Sequence, residues 1–156
     1  MATDEHPYQL HSEAMLANAV PPAALNLIKA FGLHVNLPEL SFNDQDACLV
    51  SFGERIVTIT VDCKGSALVL RCAVIHTPED ADEQFLARLL VGNFSTATAR
   101  TGALAIDAKS GEIILMARLS LMGLSPEDLQ HAIERIANGA AFWQQDIAQM
   151  PPLETL

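Results

Sequence analysis

Hydrophobic positions recur along this chain with two periods, and the switches between them mark out the elements. From Ala23 to Phe31, Leu27, Ile28 and Phe31 fall on one face at helical spacing. Pro21-Pro22 suits the start of that helix, and Gly32 predicts its stop. The period then becomes that of strands. Ala47–Phe52, Ile56–Asp62 and Ala67–Ile75 are short runs rich in β-branched and aliphatic residues, separated by Gly53-Glu54 and Lys64-Gly65-Ser66. Connections this short join antiparallel neighbours, so the three runs predict a meander. Thr77-Pro78-Glu79-Asp80 has a hydroxyl cap, an early proline and acids, which predict a helix start. That helix is expected over 79–93, with Phe85, Leu86, Leu89, Leu90 and Phe94 in a wide apolar sector. Thr101–Asp107 and Glu112–Leu121 predict a second hairpin around Lys109-Ser110-Gly111. Ser125-Pro126-Glu127-Asp128 repeats the start signal, and Leu129, Ile133, Ile136, Ala140, Trp143 and Ile147 follow as one stripe.

The predicted order is α-β-β-β-α-β-β-α, an α+β fold with a twisted antiparallel sheet flanked by helices. Residues 1–20 are a polar arm, expected to be disordered or to form a short helix after Ser12. Residues 21–148 make a single domain, and 149–156 a tail after Met150-Pro151-Pro152.

The run "EIILMARLSL" raises a question. As a strand it sends Ile113, Leu115, Ala117, Leu119 and Leu121 to one face, and Ile114, Met116, Arg118 and Ser120 to the other. Apolar residues on both faces imply that both are covered. Helices of the same chain can cover one. A second copy of the chain is the economical cover for the other, since most soluble oligomers are symmetric. The alternative is a monomer whose 125–147 helix covers the second face. The helical sector over 79–93 carries the same implication: either Phe85, Leu89 and Gly92 or Leu86, Leu90 and Phe94 are left for another surface.

Charge narrows the partners. Nine Lys plus Arg stand against nineteen Asp plus Glu, a formal net charge of −10. A chain this acidic lacks the basic footprint for nucleic acid or anionic membranes, and suits a partner with a basic or neutral segment. Half the residues are hydrophobic, enough for a core at this length. The three cysteines, Cys48, Cys63 and Cys72, have no C-x-x-C spacing and sit in or beside strand runs, so they read as free thiols of a reducing compartment. The acidic start lacks the pattern of a signal peptide, and no apolar stretch is long enough to span a membrane, so a cytoplasmic location is expected.

Candidate chemistry is sparse. His6, His11, His34, His76 and His131 fall in no zinc spacing, and no phosphate loop appears. His76 with Glu79 and Asp80 reads better as a helix entry than as an acid–base pair. A Cys–His nucleophile pair, such as Cys72 with His76, is open to the sequence, but the apolar neighbours of Cys72 favour packing. No catalytic residue, cofactor or metal is expected.

The order of elements in a small acidic chain resembles the class I type III secretion chaperones of Gram-negative bacteria. "FGLHVNLPEL" is similar to that family's Leu-Gly-x-x-x-Gly-Leu-Pro-x-Leu segment, with Asn36 where a glycine often stands. "SFNDQDACLVSF", "IVTITVD" and "ALVLRCAV" resemble its first three strands. "PEDADEQFLARLLVGNF" resembles its second helix, which ends in a Leu-x-x-Asn-type segment. "GALAIDAKSGEIILMARLSLMGLSPEDLQHAIERIANGAAFW" resembles its closing hairpin and helix. The resemblance covers about residues 21–148.

It implies a cytoplasmic, ATP-independent homodimeric chaperone, not an enzyme. Such a chaperone holds the N-terminal segment of a secreted effector extended and secretion-competent, with the secretion ATPase as a further expected contact. By this resemblance Phe85, Leu86, Leu89, Leu90 and Leu104 form the dimer contact. Leu27, Ile28, Phe31, Val35, Leu37, Leu68, Leu70 and Leu115 form the effector groove. Ordinary core is the competing reading of each groove position, because periodicity does not separate core from sticky surface. The competing reading of the whole chain is an adaptor subunit of a larger assembly.

Overall fold

The computed structural model describes residues 19–99 and 102–149, so the arm and the tail lie outside the description apart from residues 19, 20 and 149. The elements are α1 (Pro22–His34), β1 (Cys48–Phe52), β2 (Arg55–Val61), β3 (Ala67–His76), α2 (Glu83–Ala99), β4 (Ala103–Ile106), β5 (Glu112–Ser120) and α3 (Pro126–Gln149). Order and type match the sequence pattern. All strand pairs are antiparallel, and the five-stranded sheet runs β1-β2-β3-β5-β4. β1 and β4 are therefore its two edges.

The largest boundary differences from expectation are at the end of α1 and the start of α2; α2 also runs on to Ala99 rather than stopping at about Asn93. Gly32 does not stop α1; it is buried inside the helix. An added Cβ there would sit 2.6 Å from the Leu37 carbonyl oxygen, so glycine lets the returning chain cross the helix. The stop lies four residues on, at Asn36, whose φ is 59°. The Leu37 N–H bonds the Gly32 carbonyl at 2.7 Å and the Asn36 N–H bonds that of Leu33 at 3.4 Å. This pair of bonds closes the helix with a left-handed residue. Asparagine supplies the conformation more cheaply than any branched residue would. The second difference is at α2. Thr77-Pro78 belongs to a loop, with the Thr77 N–H bonded to the Gly111 carbonyl. The cap is Asp82, whose Oδ1 accepts from the Phe85 N–H at 2.8 Å, and the helix begins at Glu83. Several acids in 79–83 could cap; the turn at Pro78–Ala81 places Asp82 at the entry.

α3 starts where the sequence indicates. Ser125 Oγ accepts from the Asp128 N–H and Asp128 Oδ2 accepts from the Ser125 N–H, each at 3.0 Å, a reciprocal cap. Its stripe Leu129, Ile133, Ile136, Ala140 and Trp143 is buried over the sheet. The sheet's matching face is Val57, Ile59, Leu68, Leu70, Ile113 and Leu115, all fully buried. α1 packs on α3 and adds Ile28 and Phe31 to the same core.

The β2–β3 turn is tied to β5. Asp62 accepts from the Ser66 and Ala67 N–H groups at 2.8 and 3.1 Å and from Arg118 Nη2 at 2.7 Å. The Arg118 hydrogen bond, with help from those amides, holds the Asp62 carboxyl at about 2, below the ordinary 3.8. A depressed carboxyl pKa stabilises the fold above its unfolded value and loses that contribution as pH falls toward the folded one. The turn should therefore loosen between about pH 4 and pH 2. Arg118→Met should move the Asp62 carboxyl up toward 3.8 in an NMR titration; an unmoved value would mean that the amides alone hold it. Asn36→Val should cost about 1–2 kcal/mol in urea unfolding, against a few tenths for Asn36→Gly. Equal losses would show that the left-handed conformation is not what selects asparagine.

Candidate binding surfaces

What the core leaves uncovered defines the candidate sites. On α2, Phe85 and Leu89 face inward, and Gly92 lies against Trp143, where an added Cβ would be 2.6 Å from the indole. Of the two outward sets the sequence allowed, the structure selects Leu86, Leu90 and Phe94. Leu90 is 70% and Phe94 78% exposed. Val91 and Ile106 of neighbouring β4 extend this apolar surface. Leu86, Leu89, Leu90 and Leu104 also line one groove of about 350 Å³ between α2 and β4. Thus four of the five residues assigned to a dimer contact share one surface, while Phe85 lies beneath it with the Arg88 guanidinium 5.9 Å from its ring centre.

The residues assigned to an effector groove are divided. Leu27, Ile28, Phe31, Leu68, Leu70 and Leu115 are buried in the core, where α3 and α1 pack against the sheet. They hold the fold and offer no contact surface in this chain. Val35 is half-buried and Leu37 is 46% exposed. Leu37 lines a groove of about 540 Å³ with Asn36, Pro38, Glu39, Leu40 and the β1 residues Leu49, Val50 and Ser51. Leu49, 54% exposed, was not singled out by sequence reasoning. Its signal was present: on β1, Cys48 and Val50 take the inner face, so Leu49 is an apolar residue on the outer one. The Leu37-Pro38 segment reaches β1 because Asn36, just past the end of α1, takes the left-handed conformation and turns the chain.

Among the described residues, the outer face of the sheet carries no helix packing comparable to the inner one. On β5, Ile113 and Leu115 are buried, and an added Cβ on Gly139 of α3 would lie 2.8 Å from Leu115 Cδ2. Ile114 and Met116 on the opposite face are half-buried. α3 thus covers the first face of this strand and not the second.

Cys72 and His76 are not assembled as a nucleophile pair. Cys72 is buried on the inner face; burial pushes its thiol pKa up, against the opposing pull of the nearby Arg55 guanidinium. Arg55 donates to the Ala73 carbonyl at 2.8 Å and also bonds Gln144 Oε1. His76 is exposed, with Nε2 3.9 Å from Glu112 Oε1. Cys48 is likewise buried, and burial raises its thiol to about 11. Among the described residues no group of His, Cys, Asp and Glu could hold a metal, and no helix is long and apolar enough to cross a membrane.

Known proteins give this geometry a context. The model of the Tir chaperone protein (CesT) family matches residues 26–144. The fold is similar to that in the HopA1–SchA chaperone–effector complex, with 18% identity, a TM-score of 0.66, and coverage of 77% of this chain and 91% of that one. It is similar to a chain of the ExsC–ExsE complex, at 21% identity and TM-score 0.64 over 83% of this chain and 94% of that one. The structure of the Yersinia pestis type III secretion chaperone SycH with a stable fragment of YscM2 gives 17% identity and TM-score 0.59, over 76% and 97% of the respective chains. At these identities the likeness shows a shared fold. No curated protein matches the sequence significantly.

Thiol accessibility checks the placement of the strands. Cys63 is exposed, whereas Cys48 and Cys72 are buried. A thiol reagent should therefore modify one cysteine in native protein and all three after denaturation. Rapid native modification of Cys72 would contradict the covered inner face.

Proposed function

The chain belongs to the Tir chaperone protein (CesT) family, and from that premise we propose that it is a class I type III secretion chaperone. It binds the N-terminal segment of a secreted effector, keeping that segment extended and secretion-competent without ATP. It acts in the cytoplasm, is not an enzyme, and hands its client to the secretion machinery, where the secretion ATPase is a further contact. The observation that carries the reading is the groove beside β1, where exposed Leu37 and Leu49 lie next to a sheet edge. An extended client can add backbone hydrogen bonds along an edge strand and place alternate apolar side chains in the groove. Backbone pairing tolerates different client sequences, and the pockets select among them. The HopA1–SchA structure is itself a chaperone–effector complex, which supports this assignment. The net charge of −10 suits a client segment that is basic or neutral.

The second surface serves assembly. The Leu86, Leu90 and Phe94 row on α2, with the groove against β4, pairs with the same row of a second copy. Fully burying each such side chain is worth about 1.5–3 kcal/mol, enough for a few of them to drive association. A twofold contact would set this row against the same row of the second copy.

The two surfaces are separable by mutation. Leu37→Asp with Leu49→Asp should abolish effector co-purification while leaving the dimer mass unchanged in light scattering. Leu90→Asp should shift the isolated chain to monomer mass. Retained effector in the first variant would remove the β1 groove from the account. A dimer that survives the second would place self-association elsewhere.

A further inference from the structure

We infer that Asn93 is an edge clip, a side chain that closes the β4 end of the sheet to strand addition. Its carboxamide bonds both backbone groups of one β4 residue. Asn93 Nδ2 donates to the Leu104 carbonyl at 2.8 Å, and the Leu104 N–H donates to Asn93 Oδ1 at 2.5 Å. In an antiparallel ladder, residues that exchange bonds with the neighbouring strand alternate with residues whose groups face away. Leu104 is thus an outward-facing position, and Ala103 and Ala105 face their β5 partners Met116 and Ile114. β4 has only four residues, so its outward positions are Leu104 and Ile106. With Leu104 occupied, Ile106 alone remains, and one residue does not make a ladder.

The chemistry of the side chain fits the task. A carboxamide carries one acceptor and a donor, the same set as the peptide unit of an added strand. A carboxylate could accept the Leu104 N–H but not serve its carbonyl. The position also fits: Asn93 lies one turn beyond Leu89 on the α2 face that meets β4. The clip therefore fastens α2 to the edge as well as closing it. At the other end Asn43 engages both backbone groups of Ala47, the residue before β1, and among the described residues no side chain bonds the backbone of Leu49 or Ser51 within the strand.

Consequently the two ends of the sheet are chemically different. The run Ala103–Ile106 is apolar, and an open apolar edge is a template for pairing without limit. With the clip in place, contacts at this end are confined to side-chain packing, which closes on a finite assembly. Strand addition is left to β1.

The isolated chain, without any client, tests this, so the result does not depend on the effector-binding reading. In Asn93→Ala, residue-resolved hydrogen exchange should show the Leu104 amide exchanging about tenfold faster or more, the loss of roughly one hydrogen bond. The Ala105 amide should stay protected by Ile114. Light scattering should show species larger than those of the parent chain, growing with concentration. Adding Ile106→Pro, which removes an outward N–H at no cost to the ladder, should restore the parent size. Asn93→Asp keeps the acceptor and so should retain Leu104 protection, and it reads the same contact if the alanine variant does not fold. Unchanged Leu104 protection in Asn93→Ala, lost protection in Asn93→Asp, no larger species at any concentration, or larger species that persist with Ile106→Pro would each overturn the clip.

Discussion

Close contact between α3 and the middle of the sheet is the constraint on which the rest depends. Gly139 lets the helix approach until Leu115 lies against its backbone, and the Leu129–Trp143 stripe then seals the inner face. Gly92 allows a similar approach of α2 to Trp143. Alanine at Gly92 would press a Cβ into the Trp143 indole, whereas at Gly139 the Leu115 methyl would have to give way. One long helix, with α1 packed on it, satisfies one sheet face. Hydrophobic residues elsewhere, on the outer face, on α2 and around β1, then have no cover of that kind among the described residues.

This leftover surface is where the family's task finds its means. The exposed helix row of Leu86, Leu90 and Phe94 offers side chains for packing, and Asn93 engages the backbone of Leu104 on the adjacent strand edge. β1 presents an edge beside an apolar groove, with the α1 exit loop as its wall. On the proposed reading, segregating packing from backbone pairing would let one small domain both associate with its own kind and accept an extended chain. The buried thiols and the exposed His76 line neither groove.

Much of the architecture could be read from periodicity, and the reasons for the exceptions are local. The α3 stripe and the Ser125 cap predict the helix correctly because a stripe of that length has no alternative partner. α2 starts six residues after Thr77 because a run of acids offers competing caps and only the fold chooses Asp82. Gly32 looked like a stop and is a crossing point, since sequence does not distinguish a glycine needed for φ from one needed for space. Ile28, Phe31, Leu68, Leu70 and Leu115 have the same residue types as a sticky groove, and only tertiary packing shows that they are core. Leu49 was hidden by its ordinary alternation within a short strand, and becomes informative once β1 is known to be an edge. The apolar second face of "EIILMARLSL" is explained in part: α3 covers the Ile113 and Leu115 side, and Ile114 and Met116 on the other stay half-open.

The most direct test of the central claim is a tagged pull-down of this chain from its native bacterium, followed by intact-mass analysis and limited proteolysis of what co-purifies. The account predicts two copies of the chain with one larger protein whose N-terminal segment resists protease only while the complex is intact. Recovery of the chain in a fixed assembly, with no partner carrying a protected N-terminal segment, would contradict it and favour an adaptor subunit.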